Sequence, residues 1–271
     1  MSEDRRRIAA DFDLRSAGYS KNQWHQAYAE GLIAHSALRI GDRVLDAGVG
    51  TGFAAIAAAV RIGPRGRVVG VDVSPGMLQR AQVAVEAAGL GTIELLQADA
   101  CELRDLADES FDAVICSAGL LYMPVQRALT EWRRLLRPGG VIGVSTMRAG
   151  SPQAGQLFRD CAAEFGVQLD DPSAALGSES AAAAALRQGG FTQIAVVADT
   201  VRLADGDFAC AWESNLRSAA HGEVRSLAPT DLEGLRLRFE HALDNRRRID
   251  PSFAVAEVLY AYGAKPDHRH V

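Results

Sequence analysis

The chain has 271 residues, of which 48% are hydrophobic and 23% are charged, and its formal net charge is −5. These ordinary proportions exclude wholesale disorder, and the length is enough for one enlarged domain or for a domain with a cap. Because the charge balance is acidic, the chain has no general basic field, which makes nucleic acid and an anionic membrane surface poor candidates for partners.

The cysteines and the first residues indicate a cytoplasmic protein. The four cysteines are widely separated and form no C-x-x-C pair, as is typical of reduced thiols, and they are Cys101, Cys116, Cys161 and Cys210. Residues 1–7 are charged and precede no apolar run, so no secretory segment is expected. The alanine-rich runs are far shorter than the ~20 apolar residues of a membrane span. A cytoplasmic location without a membrane partner follows.

Residues 1–40 are predicted to form a helical cap ahead of the core. Apolar side chains recur at helical spacing between residues 22 and 38, and they include Trp24 and Tyr28. A helix at this place either packs the two aromatic rings against a sheet or lies across a site. The arginines at positions 5–7 form either a solvated face or an anion contact, and the solvated face is the favoured interpretation.

Apolar strands alternate with helices from residue 43 to residue 146. Continuous apolar strands separated by helices predict a parallel sheet that is covered on both faces. Ser74 and Pro75 have the residue types of a helix start, and Gly89 ends the same helix. The predicted strands are 43–46, 67–71, 93–97, 111–116 and 140–146, and the predicted helices are 53–61, 75–88 and 125–136.

Beyond residue 147 the periodicity is weaker, and the predicted elements are helices 151–165 and 178–187 and strands 192–198 and 254–263. Residues 200–250 form a mostly helical insertion between those two strands, and long excursions of this kind are often functional lids. A polar tail with His268 and His270 ends the chain. The predicted divisions are a cap at 1–40, a core at 41–199 and 251–265, a lid at 200–250 and a tail at 266–271.

A glycine turn follows the first predicted strand, in the run Asp46-Ala47-Gly48-Val49-Gly50-Thr51-Gly52. Glycine lets the chain reverse tightly and lets backbone N–H groups approach a ligand. The spacing of Gly50, Gly52 and Ala55 also fits a dinucleotide site, with Asp72 about 20 residues further on as a ribose-binding acid. Asp46 separates the two interpretations, because a carboxylate here repels a pyrophosphate and attracts a cationic ligand such as S-adenosylmethionine.

Five runs, which together cover roughly residues 40–147, resemble the motifs of class I S-adenosylmethionine-dependent methyltransferases. The pattern most resembles the branch around quinone-biosynthesis and natural-product methyltransferases. After the glycine turn, the runs are Val71-Asp72-Val73-Ser74-Pro75-Gly76-Met77-Leu78, Gln97-Ala98-Asp99-Ala100, Phe111-Asp112-Ala113-Val114-Ile115-Cys116-Ser117 and Leu135-Leu136-Arg137-Pro138-Gly139-Gly140. The resemblance implies a Rossmann-like, doubly wound α/β fold. Its seven-stranded sheet would be mostly parallel with the last strand antiparallel, and an N-terminal helix and a helical lid insertion would be added to it.

The resemblance also implies which residues bind the methionine part of the cofactor. Gly48 and Gly50 would let the backbone pass close to it. Asp46 would accept a hydrogen bond from the ammonium group, directly or through water. The Ser117 carbonyl would also accept from this ammonium.

The adenosine part has its own implied residues. Asp72 would hold the ribose hydroxyls, because both oxygens of a carboxylate accept hydrogen bonds. Val73 and Met77 would supply apolar surface to adenine, although Met77 could equally belong to the core of its helix. Asp99 would bind the exocyclic amine and the Ala100 backbone would read a ring nitrogen. A lone Asp at a strand end is also often only a turn residue.

The implied reaction is the in-line transfer of a methyl group to a nucleophile, with S-adenosylhomocysteine as the product. Alignment of the partners dominates such a reaction, so a conspicuous base is not required. Tyr19, His25 and His221 are the candidate catalytic residues. In the resembled enzymes an N-terminal helix often closes over the cofactor, so Tyr19 or Trp24 would contact ligand. No His, Cys, Asp or Glu cluster has metal-ligand spacing, and no metal is expected.

The residues after the fourth strand, Ser117-Ala118-Gly119-Leu120, differ from the Asn/Asp-Pro-Pro-aromatic run of enzymes that methylate nucleic acid bases. A small, partly apolar metabolite is therefore the favoured substrate. Two alternatives stay open, a cyclase-like or ligand-sensing protein that keeps the cofactor pocket and a nicotinamide-dependent oxidoreductase. The sequence leaves open whether oxygen, nitrogen or carbon accepts the methyl group, and it is compatible with a homo-oligomer.

Overall fold

Seven β-strands form one sheet in the computed structural model, which describes residues 3–19 and 24–267. In chain order the strands are β1 (Arg43–Ala47), β2 (Arg67–Asp72), β3 (Ile93–Gln97), β4 (Phe111–Ser117), β5 (Leu136–Met147), β6 (Thr192–Arg202) and β7 (Val255–Ala264). Their order across the sheet is β3-β2-β1-β4-β5-β7-β6. The first five strands pair in parallel, and β7 lies antiparallel between β5 and β6. The predicted fold class is confirmed.

Helices cover both faces of the sheet and fill the insertion between β6 and β7. They are α1 (Glu3–Tyr19), α2 (Trp24–Ala34), α3 (Phe53–Ile62), α4 (Pro75–Ala88), α5 (Val125–Leu135), α6 (Gln153–Glu164), α7 (Glu179–Gln188), α8 (Asp205–Ala209), α9 (Ala211–Leu216) and α10 (Pro229–Ile249). The 3₁₀ segments are Leu120–Tyr122, Ala219–Ser226 and Pro251–Ala254. The start of the predicted helix at residue 22, His268 and His270 lie outside the described residues.

The core consists of two clusters, one on each face of the sheet. Successive side chains of a strand point to opposite faces. Val44 therefore packs in one cluster with buried residues of α2, α3, α6 and α10, while Leu45 packs in the other with those of α5 and α7. Both strand residues are fully buried. The alternation explains why β1 reads as a continuous apolar run.

Helix α4 has the bounds that its end signals predict. The Ser74 hydroxyl accepts a hydrogen bond from Met77 N at 3.1 Å, and Pro75 occupies the first helical position. Gly89 ends the helix with a φ of 67°, in the left-handed region that favours glycine. This helix begins directly after β2 and so carries Met77 to the carboxyl edge of the sheet.

The two N-terminal helices have bounds that the sequence pattern does not predict. Residues 3–19 form a helix, α1, whose sequence has no clear apolar stripe, and the second helix ends at Ala34 rather than at residue 38. Arg5 is only 5% exposed, so the favoured solvated face is wrong for this residue. Its guanidinium donates to Asp99 Oδ1 at 3.0 Å and to the Tyr122 carbonyl at 2.8 Å, which compensates its burial.

Strand β5 begins four residues earlier than predicted. Leu136 pairs with Phe111 on β4, and the next paired residues are Ala113 and Val141, so the segment between them bulges out of the ladder. The bulge contains Pro138, which lacks the N–H group that a ladder requires. The proline and glycines here predict a turn, but the strand continues through it.

Candidate functional site

One cavity opens at the carboxyl ends of the five parallel strands. Gly48, Val73, Ala98, Ser117 and Met147 lie at or just beyond the ends of β1 to β5, and all five line it. Residues of α1, α2, α6, α8, α9 and the Ala219–Ser226 segment form its other walls. Ligands of open α/β sheets bind at this edge. The topology therefore brings the sequence motifs and the insertion to the same cavity.

The glycine turn lies on the cavity wall in a conformation that depends on glycine. Gly48 has a φ of +88°, and a Cβ there would come within 3.3 Å of Met123 Cε. Gly48 N and Val49 N both donate to the Val71 carbonyl at 2.9 Å, which fixes the turn to the end of β2. A bound molecule can therefore approach the main chain closely at Gly48 and Gly50, and both residues line the cavity.

Asp72 ties the turn to the start of α4. Its two oxygens accept hydrogen bonds from Gly50 N and Ser74 N, each at 2.9 Å. Burial raises the pKa of this carboxyl group, while these two hydrogen bonds and the Arg5 guanidinium act in the opposite direction. The side chain lines the cavity. Each oxygen has a second lone pair, so a ligand hydroxyl can bond to it as well.

Asp46 lies behind the cavity wall rather than on it. The residue is fully buried, and both side-chain oxygens lack a hydrogen-bond partner among residues 3–19 and 24–267. Burial and then the nearby Asp72 charge raise the pKa of this carboxyl group to about 8. Asp46 is therefore a buried acid that is mostly protonated at neutral pH and that a nearby cation would ionise.

Asp99 and Ala100 mark the end of the cavity near β3. Asp99 Oδ1 accepts from Arg5 Nη2 and from Cys101 N, both at 3.0 Å, and this carboxylate is not on the cavity wall. Arg5 lines the cavity in its place, and so does Ala100. The Ala100 carbonyl accepts from Trp132 Nε1 at 2.9 Å, which anchors this loop to α5.

Val73, Met77 and Ser117 also line the cavity. Met77 is 1% exposed, so it belongs to the packed interior and to the cavity wall at the same time. The Ser117 hydroxyl lies 3.4 Å from Ser145 Oγ on the neighbouring strand β5. Ten of the twelve candidate site residues predicted from the sequence thus line this cavity, and the other two, Asp46 and Asp99, lie just behind its wall.

Tyr19 and His25 stack where α1 ends and α2 begins. Their rings are 4.6 Å apart, and the Trp24 ring lies 4.4 Å from that of His25. Burial lowers the pKa of His25 to about 3, and burial raises the pKa of Tyr19 to about 12. Both side chains line the cavity and are uncharged at neutral pH. Both can form hydrogen bonds with a bound molecule there, and Nδ1 of His25 is buried without a partner among the described residues.

His221 lines the cavity from the insertion and is 3% exposed. Its Nδ1 lies 2.9 Å from the Asn215 carbonyl oxygen. Because a carbonyl only accepts, we assign the proton to Nδ1, which leaves a lone pair on Nε2. Nε2 is buried and lacks a partner in the described part of the chain. Burial lowers the pKa of His221 to about 4, and the positive charges of nearby arginines contribute.

Four charged residues that sequence reasoning missed also line the cavity, and they are Arg15, Arg159, Asp171 and Asp207. Arg159 is 9% exposed, donates to Gln156 and lies 3.3 Å from an Asp171 oxygen. Arg15 lies over the rings of Phe12 and Tyr19. Asp171 precedes Pro172-Ser173, a pattern of turns, but nothing in the sequence tells that this turn faces a cavity.

No group of three or more His, Cys, Asp or Glu side chains that could hold a metal ion occurs in residues 3–19 and 24–267. Within the same ranges, no helix is long and apolar enough to cross a membrane.

The chain is similar in sequence to known proteins. Residues 44–140 match the methyltransferase domain family. The chain is 32% identical over 179 residues to the demethylmenaquinone methyltransferase of Lactobacillus johnsonii, and the match spans 61% of this chain and 71% of that protein. It is 35% identical over 136 residues to the enzyme of the same name from Geobacillus kaustophilus, with 50% of this chain and 57% of that protein covered. The chain thus matches little more than half the length of this second relative.

A solved structure shares the fold. The Haemonchus contortus phosphoethanolamine N-methyltransferase 2, in complex with phosphomonomethylethanolamine and S-adenosylhomocysteine, superposes with a TM-score of 0.54 at 19% identity. The superposition covers 86% of this chain and 51% of that one. This likeness shows the fold alone, and the family follows from the sequence matches. This chain belongs to the class I S-adenosylmethionine-dependent methyltransferases, in their small-molecule branch.

Proposed function

We propose that this protein transfers the methyl group of S-adenosylmethionine to a small, partly apolar metabolite. The observation that supports this most is that one cavity is lined both by the glycine turn and Asp72 and by residues of α2, α6 and the insertion; we call this second part of the cavity the second chamber. The first end has the residues of a nucleoside site, and the second combines aromatic and apolar side chains with polar ones, among them Arg159, Asp207 and His221. Trp24, Phe208 and Leu203 belong to the second chamber.

The residues of the first chamber fit the cofactor. In this proposal Asp72 holds the ribose hydroxyls. Val73 and Met77 pack against the face of adenine, and the Ala100 main chain contacts the edge of the ring. Gly48 leaves room at the methionine part, where the Ser117 carbonyl accepts from the ammonium. Asp99 lies just behind the wall, where Arg5 and Cys101 N hold its carboxylate, so a contact between Asp99 and the adenine amine would also involve Arg5 of α1.

The buried carboxyl group of Asp46 supports the choice of a cationic cofactor. It lacks a hydrogen-bond partner among the described residues, and it lies next to Asp72 under the glycine turn. A positive charge bound above it compensates the carboxylate that results from its ionisation. A pyrophosphate in the same place would instead meet two acids.

When bound, S-adenosylmethionine supplies an electrophilic methyl group whose transfer leaves a neutral thioether. The cavity walls align the acceptor atom with that carbon and exclude water, and alignment can contribute about 7–11 kcal/mol.

His221 takes the proton that the acceptor loses. A base with so low a pKa is weak towards a free hydroxyl or amine, but the acceptor becomes strongly acidic as its new bond to carbon forms.

Titration calorimetry with S-adenosylmethionine and S-adenosylhomocysteine tests cofactor binding, and isotope-labelled S-adenosylmethionine with an extract of candidate metabolites tests transfer. Asp72→Asn removes one acceptor of a charged hydrogen-bonding group, so we expect about tenfold weaker binding or worse. Glu94→Gln, at an exposed carboxylate of β3, is the matched control with unchanged affinity.

His221→Gln should bind the cofactor normally and lower label transfer by about 10²-fold or more.

Two outcomes would count against this function. Absence of any heat with either cofactor form would overturn it entirely. An unchanged transfer rate in His221→Gln would leave methyl transfer standing and remove His221 from the chemistry.

A further inference from the structure

Asp207 and His221 of the insertion each have one unsatisfied hydrogen-bond acceptor at the second chamber. Asp207, on α8, is 6% exposed and lines the cavity. Its Oδ2 accepts from Ala204 N at 2.8 Å, whereas its buried Oδ1 has no partner in residues 3–19 and 24–267. Nε2 of His221 is the other acceptor, since its ring donates through Nδ1.

Buried polar atoms in native proteins are normally hydrogen-bonded, because burial strips them of water. Two orphaned acceptors on the insertion side of one cavity therefore indicate a molecule that brings two donors to that side. Hydroxyl groups and amino groups are the donors that small metabolites carry. A molecule with carbonyl or ether oxygens alone would leave both Asp207 and His221 unsatisfied.

The charges around the chamber favour hydroxyl groups over an ammonium group. Arg159, Arg15 and Arg225 are close enough to His221 for their positive charges to act on it. Arg159 and Arg225 are paired with Asp171 and Asp11, so a cationic acceptor would be repelled mainly by Arg15, while a neutral one is not. Arg15 Nη1 is moreover a buried donor that lacks a partner within the described ranges. A hydroxyl group both donates and accepts, so it can satisfy Arg15 as well as an acceptor.

The remaining wall determines the body of the molecule. Trp24, Leu203, Phe208 and Met147 line the chamber, so an apolar and preferably aromatic framework packs well there. Arg159 is already paired with Asp171 and Gln156, so it offers no bare charge that would require an anionic acceptor.

We infer that the acceptor is a neutral molecule with an apolar body and two hydroxyl groups, one methylated on oxygen beside His221 and the other donating to Asp207. This inference rests on the proposed methyl transfer. In the step, the oxygen that faces His221 forms the bond to the methyl carbon with its lone pair. The carbon–sulfur bond breaks with its electron pair kept by sulfur, and the hydroxyl proton passes to Nε2. Asp207 is a substrate-positioning residue that touches the second hydroxyl.

The test uses the full chain saturated with S-adenosylhomocysteine and two matched sets of probes. The first set is the isomeric benzenediols and dihydroxynaphthalenes, and the second is phenol and the two naphthols. Titration calorimetry should show at least one diol binding about tenfold more tightly than the mono-ol of the same ring system. With S-adenosylmethionine in place of the product, mass spectrometry should show one methyl group on an oxygen of that diol.

Asp207→Asn isolates the contribution of the second hydroxyl. The amide keeps an oxygen for Ala204 N and presents a donor in place of the cavity acceptor, so the diol preference should vanish while mono-ol affinity is unchanged. Asp205→Asn makes the same change at a side chain that is 96% exposed on the same helix, and it should keep the preference. Normal binding of S-adenosylhomocysteine verifies that each variant is folded, and the diol comparison in the unaltered protein does not need the variants.

Three results overturn the inference. The first is equal affinity of diols and mono-ols for the unaltered protein, and the second is a diol preference that survives Asp207→Asn. The third is the failure of every diol to bind a protein that does bind S-adenosylhomocysteine, which leaves the proposed methyl transfer intact. Failure of S-adenosylhomocysteine itself to bind overturns both proposals.

Discussion

At the scale of single residues, the two acids beside the glycine turn differ in what surrounds them. Asp72 accepts two main-chain hydrogen bonds, whereas Asp46 has no partner among the described residues and its pKa is raised to about 8. Sequence position predicted that both acids would lie at strand ends, because strand and turn signals are local. Their different protonation could not be predicted, since it depends on burial by residues distant in the chain.

Cofactor binding should release a proton from Asp46. At pH 7 the buried carboxyl group is mostly protonated, and a bound ammonium and sulfonium would favour its ionised form. We expect close to one proton to be released at pH 7. Calorimetric heats measured in phosphate and in Tris, which differ in ionisation enthalpy, report this number. Asp46→Asn should abolish the difference between the buffers, and identical heats for the unaltered protein would contradict the expectation.

At the scale of elements, α1 is the helix whose bounds the apolar pattern of the sequence does not predict. Its residues show no strong apolar period, so local pattern reasoning fails to find it. Tertiary contacts hold it instead. Asp13 Oδ1 accepts from Gly76 N at 2.8 Å and from the Ser74 hydroxyl, and Asp11 pairs with Arg225 of the insertion at 2.7 Å. By contrast, α4 has a serine cap, a proline start and a glycine end, which is why its predicted bounds are right.

Removing the Asp13 carboxylate should loosen α1 from the start of α4. Asp13→Ala removes an acceptor at a helix N-terminus, so we expect a loss of about 0.5–2 kcal/mol in the free energy of unfolding. S-adenosylhomocysteine affinity should fall as well, because α1 carries Arg5, Ile8 and Phe12 on the cavity wall. Urea denaturation and calorimetry measure the two effects.

The neighbouring Leu14 supplies the control for this experiment, since it is 65% exposed on the same helix. Leu14→Ala should change stability and affinity little. Equal losses in both variants would show that the contact of Asp13 with the start of α4 is not responsible.

At the scale of the whole molecule, most of the sheet could be predicted and most of the second chamber could not. Strands β1 to β4 are bounded by glycine, proline and polar turns, and their buried runs are unambiguous. The second chamber instead combines Trp24, Arg159, Asp207 and His221, which come from four separate segments. No spacing in the chain predicts that these side chains converge, because the path of the insertion depends on packing against α6 and the sheet.

The buried histidine makes the stability of the entire fold depend on pH. The folded-state pKa of His221 is about 4, below its ordinary value of about 6.5, so the unfolded chain binds its proton more strongly. The titration of His221 therefore leaves the free energy of unfolding unchanged above pH 6.5 and lowers it as the pH falls from 6.5 towards 4. We expect it to lower the free energy of unfolding by about 3 kcal/mol between pH 7 and pH 4.

Urea denaturation of the unaltered protein and of His221→Gln across this pH range isolates the effect. The variant should have a flatter profile, with the difference between the two proteins growing below pH 6.5. Parallel profiles would mean that His221 titrates normally in the folded protein.

The pairing of Arg202 with Val255 joins the last residue of β6 to the first of β7. The whole insertion therefore begins and ends at two neighbouring positions of the sheet. Changes of sequence within the insertion therefore need not alter the pairing of the strands. A lineage of such proteins could change the molecules that it modifies by rewriting this one stretch, while the half that holds the donor stays as it is.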